Sequence, residues 1–72
     1  MTYAERLRLL DEAGRIRLHE RVSQNGEHHV WLTAGPLMGM CRVDRCHRDF
    51  EFACQLAYAL LLIKAPWLRE VS

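Results

Sequence analysis

The run Phe50 to Ile63, FEFACQLAYALLLI, constrains this chain more than any other stretch. Only Glu51 and Gln55 within it are strongly polar. In a chain of 72 residues, a segment this apolar has to be the element on which the rest packs. It is interrupted by Gln55 and stops at Lys64, short of the ~20 residues that a membrane span needs. Its Phe52-Leu56-Ala59-Ile63 and Phe50-Cys54-Ala57-Leu61 stripes are both apolar, whereas a small sheet covers one side of a helix. The first helix, a second copy of the chain or another partner must cover the other.

Size sets the next limit. A single domain over residues 1–72 is expected, near the lower bound for folding unaided, where a core rarely contributes more than ~3–5 kcal/mol net. Half of the residues are hydrophobic (50%), which argues against disorder. The net charge of +1 gives no overall bias towards nucleic acid or acidic membranes. All but one of the basic residues are Arg, the exception being Lys64, and guanidinium forks suit carboxylate or phosphate. Cys41, Cys46 and Cys54 make an odd number, and the charged start MTYAERLRLL lacks the order of a signal peptide. A cytoplasmic protein without a disulfide framework is the expectation.

Along the chain, Thr2-x-x-Glu5 is a capping-box pattern. Tyr3, Leu7 and Leu10 follow at i, i+4, i+7 on one helical face, and Gly14 supplies a stop, so a first helix is predicted from Tyr3 to Ala13. Arg8 and Glu12 have the spacing of an ion pair along it. From Arg15 the period becomes two. Ile16, Leu18 and Val22 alternate with Arg15, Arg17, His19 and Arg21, and His28 to Ala34 returns after Ser23-Gln24-Asn25-Gly26-Glu27. A two-residue Asn25-Gly26 turn would put Val30 and Leu32 on the arginine face. A three-residue loop, Gln24 to Gly26 with Gly26 left-handed, pairs Leu18 with Leu32 and Ile16 with Ala34, and it gathers the apolar residues on one side.

Leu37 to Val43 reads either as a third strand or as an irregular crossing, with Leu37, Cys41 and Val43 on one alternating face and Gly39 weakening it. Asp44 or Asp49 caps the second helix, which must end near Ala65 before Pro66. PWLREV can add one turn, with Trp67, Leu68 and Val71 available to close the core. The predicted fold class is α+β, a small two-layer sandwich of order α-β-β-(β)-α, with an antiparallel hairpin or sheet packed on two helices.

Three chemistries compete for the polar residues. Cys41-x4-Cys46-His47, with Cys54, His28 and His29 in reserve, has ligand types suited to zinc. A helix starting at Asp44 would hold Cys46 and Cys54 about 12 Å apart, and no second ligand pair answers the first. Thiols acting as small buried hydrophobes are the preferred reading, with no metal and no cofactor. Cys46 at a helix start would be an activated nucleophile, but His47 would point about 100° away. No phosphate loop, paired-carboxylate motif or GxSxG element appears, so no catalytic residues and no enzyme activity are expected.

The remaining candidate is a surface. With Ile16, Leu18, Val30 and Leu32 facing the helices, the opposite face carries Arg15, Arg17, His19 and Arg21 beside His29, Trp31 and Thr33. Trp and Arg are the types enriched at binding hot spots, although Arg stacking on the indole or an ordinary polar outer face accounts for part of the pattern. The expected function is therefore a small non-enzymatic regulator or inhibitor. It would dock Arg15, Arg17, His19, Arg21, His29 and Trp31 on a larger protein or protein–nucleic-acid complex, away from any membrane. Small phage-encoded inhibitors of host defence, anti-CRISPR proteins among them, share this size and style, an analogy without a shared motif. The alternative is a nucleic-acid-binding module using the same face. The element order is loosely that of double-stranded-RNA-binding domains, but those start their last helix with lysines. This chain has Asp44-Arg45-Cys46-His47-Arg48-Asp49. The surplus stripe of the second helix also offers a homodimer contact.

Overall fold

Thr2 starts the first helix through the capping box its spacing predicts. Its Oγ1 accepts from the Glu5 amide at 3.1 Å, and the Glu5 carboxylate accepts from the Thr2 amide at 2.9 Å. Hydrogen bonds to the carboxylate from the Thr2 amide and then from the Thr2 side chain hold the Glu5 carboxyl below its ordinary range. Its contribution is thus present above the unfolded pKa and fades as pH falls through the lower folded one. The computed structural model describes residues 1–35 and 41–71. The first helix, α1, spans Tyr3–Glu12. Gly14 ends it at φ +75°. The Gly14 amide donates to Asp11 C=O at 3.0 Å and the Arg15 amide to Leu10 C=O at 2.9 Å, the paired bonds of a Schellman stop.

Strand β1 (Ile16–Val22) and strand β2 (His28–Ala34) form the predicted hairpin. Leu18 pairs with Leu32 and Ile16 with Ala34. The loop is the three-residue one. Ser23 donates to Glu27 C=O at 2.8 Å, the Gly26 amide to Ser23 C=O at 3.0 Å, and Gly26 sits at φ +86°, a conformation that costs glycine nothing. This register puts Ile16, Val30, Leu32 and Ala34 in the core.

The third strand is real, and it runs further along the chain than the sequence suggests. Strand β3 spans Cys41–His47 and pairs antiparallel with β2 over all seven residues, from His28↔His47 to Ala34↔Cys41. Leu37 and Gly39 lie outside the described residues. Asp44 is therefore a strand residue, and the cap of the second helix, α2 (Phe50–Lys64), is Asp49, which accepts from the Glu51 amide at 3.0 Å. A full ladder along β2 satisfies backbone groups that an early helix start would have left on an open edge.

The sheet order is β1-β2-β3, with both helices on one face. The α2 stripe of Cys54, Ala57 and Leu61 is buried, with Ala53 beside it. Small side chains there let the helix approach the sheet closely. The other stripe, Phe52-Leu56-Ala59-Ile63, faces outward, and Ile63 is 70% exposed. A short 3-10 segment, Pro66–Val71, follows. Leu68 closes the core, whereas Trp67 stays exposed; the Val71 side chain lies outside the description. Arg8 does not pair along its own helix. It reaches across to Glu20 of β1 at 3.5 Å.

One contact joins the helices in a way the sequence does not announce. Glu51, in the first turn of α2, accepts from the Tyr3 amide at 2.6 Å and the Ala4 amide at 3.1 Å. One carboxylate thus caps two open N–H groups of α1 while standing at the positive end of α2. Among the described residues, no helix is long and apolar enough to cross a membrane.

Candidate outer-face binding site

Alternation along three paired strands builds a nine-residue grid on the sheet face that bears no helix. Its cross-strand rows are Arg17–Thr33–Arg42, His19–Trp31–Asp44 and Arg21–His29–Cys46. Trp31 occupies the centre. His19 stacks on its indole, with centroids 5.4 Å apart and planes at 17°. Arg17, Arg21 and Arg42 take three of the four diagonal neighbour positions, within reach of long side chains on a pleated surface. Asp44 is the one acid of the grid and lies directly beside Trp31.

Of the residues singled out from sequence, the structure brings Arg17, His19, Arg21, His29 and Trp31 together. Arg15 is not among them. It sits at the junction between α1 and β1, its amide committed to the helix stop, because β1 begins at Ile16. The indole is half-buried rather than fully exposed, and its stacking partner is His19, not an arginine. The described guanidinium–ring contacts lie elsewhere: Arg6 on Tyr3 and Tyr58, and Arg8 on Phe50.

Sequence reasoning missed the third column, Arg42, Asp44 and Cys46. Arg42 falls in the segment that reads either as a strand or as a crossing, and Asp44 and Cys46 fall at the start of the second helix only if Asp44 rather than Asp49 is its cap. The usable signal was the alternation of Cys41 and Val43 with Arg42 and Asp44, continued one step further.

The cysteines separate by face and environment. Cys41 and Cys54 are buried on the helix side, and Cys46 is exposed on the grid. Burial, with the carboxylates of Glu51 and Glu20 adding to it, pushes the Cys54 thiol up to about 11, so it stays protonated and inert. His28 and His47 point to the helix side, against Phe50 and Phe52 at 5.4 Å and 4.5 Å. His47 Nδ1 accepts from the Asp49 amide at 2.9 Å, which assigns the proton to Nε2 when the ring is neutral. The Cys41–Cys46–His47–Cys54 set is thereby divided between two faces of the sheet. Cys46 also stands in β3 and not at the start of α2.

On the helix side, the hairpin end projects past Phe50. An open groove of about 420 Å³ lies there between Glu20, Arg21, Val22, His28 and Phe50. Its walls carry one acid, one arginine, one histidine and two apolar residues, a mixed lining that marks out no ligand class. The chain matches no family model, no curated protein and no solved structure.

Proposed function

We propose that this chain is a small non-enzymatic regulator or inhibitor that docks the outer face of its sheet on an acidic surface of a larger protein. The observation that carries the reading is Trp31 at the centre of a rigid grid, stacked on His19 with Arg17, Arg21 and Arg42 on its diagonals. A held indole with arginines at its diagonal positions combines apolar area of low entropy cost with forks for carboxylates. The net charge of +1 gives little long-range pull on a phosphate backbone, which favours a protein partner.

The test is capture of partners by wild-type protein and by an Arg17→Glu, Trp31→Ala double variant, followed by affinity measurement on the captured protein. Loss of a central tryptophan anchor alone costs ~2 kcal/mol or more, about 30-fold in Kd. An unchanged set of partners and affinities would rule the face out. Gel shifts at low and moderate salt address the other use of the same arginines. Binding that weakens steeply with salt would replace the protein partner with nucleic acid.

A second reading concerns α2. Along its Phe52-Leu56-Ala59-Ile63 stripe, Phe52 and Ile63 are exposed. A second copy meeting that stripe would give a concentration-dependent mass in sedimentation, abolished by Ile63→Glu. A constant monomer mass at high concentration sinks the dimer.

A further inference from the structure

We infer that the hairpin end of the outer face is a zinc site, with Glu27, His29 and Cys46 as its three protein ligands. Their ligand atoms lie within 4.8 Å of one another. The placement follows from the pairing. His29 and Cys46 are direct cross-strand partners on β2 and β3, and Glu27 precedes His29 by two residues, so all three project from the same side.

The donor set decides which ion fits. One thiolate, one imidazole and one carboxylate form a mixed S, N, O set that suits zinc and its first-row neighbours, whereas magnesium and calcium take oxygen. A tetrahedral zinc ion holds such ligands ~3.5 Å apart, so the three atoms must draw in slightly, by side-chain rotation on a fixed backbone. Glu27 is already tethered. Its amide donates to Ser23 Oγ at 3.2 Å and to Asn25 Oδ1 at 3.3 Å, and Asn25 Nδ2 donates to its Oε1 at 3.4 Å.

Charge balances as well. The ion carries two positive charges, and the Glu27 carboxylate and Cys46 thiolate supply two negative ones. Arg21, across from His29 on β1, is the nearby opposing cation of the grid. On binding, the Cys46 thiol releases its proton to solvent and the sulfur lone pair bonds the metal. No oxidation occurs. Three protein ligands leave the fourth position to water, which a carboxylate from a docked protein can replace. The site stands independently of the partner reading, because it needs only this chain and the metal.

The probe is cobalt(II), added to the metal-free full chain in a reductant that does not bind metals. Wild type should take up one cobalt per chain, with a near-ultraviolet thiolate-to-cobalt band and visible bands of tetrahedral intensity, all displaced by zinc. Cys46→Ser should lose the thiolate band, and His29→Gln and Glu27→Gln should each weaken cobalt binding by about tenfold or more. These positions are at the surface, and matched circular dichroism spectra establish that the variants are folded. A labelling experiment needs no variant. Zinc should slow alkylation of Cys46 by about tenfold or more, since a coordinated thiolate is not free to react, while magnesium leaves it unchanged. A thiolate band that survives Cys46→Ser, absence of cobalt binding, or labelling of Cys46 at the same rate under saturating zinc overturns the site.

Discussion

Leu61→Ala is expected to cost about 2–5 kcal/mol, the range for emptying a well-packed leucine site. Leu61 is fully buried (0% exposed) on the face of α2 that meets the sheet, among Ala57, Ala53 and Cys54. A domain of this size has only ~3–5 kcal/mol to lose, so the variant should be largely unfolded or melt more than ~10 °C lower. The adjacent comparison is Ile63→Ala, two residues on and 70% exposed, which should change Tm by no more than a few degrees. Thermal melts of the two variants read the packing of α2 directly. Equal losses would mean that the helix is rotated from the face described above.

Glu51→Ala is the second large effect, and its mechanism is polar. Removing the carboxylate leaves the Tyr3 and Ala4 amides without the acceptor they now share, in a partly buried position that water reaches poorly. Loss of a cap costs ~1 kcal/mol, and hydrogen bonds to charged acceptors are worth more than neutral ones. An expected loss of about 1–2 kcal/mol follows, with faster hydrogen exchange confined at first to the start of α1. Glu51→Gln should fall between, because a carboxamide keeps one acceptor oxygen and turns a donor towards the other amide. Gln55→Ala, one turn along on the exposed side, is the control. If α1 exchanges at the wild-type rate in Glu51→Ala, the inter-helix cap carries no weight.

The two variants probe different layers of the same problem. Leu61 belongs to a stripe that any reading of the chain marks as apolar. The sequence offered two such stripes, however, and could not choose between them. Glu51 looked like a polar interruption in an apolar run. Its partners are at the other end of the chain, brought there only when the helices meet.

The outer face shows the same division. Arg17, His19, Arg21, His29 and Trp31 could be assembled from the hairpin register, because strand alternation and a three-residue loop with Gly26 left one arrangement that buried Ile16, Leu18, Val30 and Leu32 together. Arg15 shares their alternation but stands one residue before β1, where the Schellman stop of α1 still holds the backbone. The column from β3 is only hinted at, by the alternation of Cys41 and Val43 with Arg42 and Asp44. Helix and strand compete locally for Asp44 to His47, and pairing with β2 decides between them.

By itself, then, the sequence determined what local chemistry controls. Thr2 and Glu5 start α1, Gly14 stops it, Gly26 sets the hairpin loop and with it the register, and Pro66 ends α2. Each acts within a few residues of itself, through a backbone preference or a short hydrogen bond. The tertiary structure alone decided the extent of β3, the stripe of α2 that is covered, the cap that Glu51 provides and the meeting of Glu27, His29 and Cys46. Those depend on contacts between distant segments, whose energy is gained only once sheet and helices are packed.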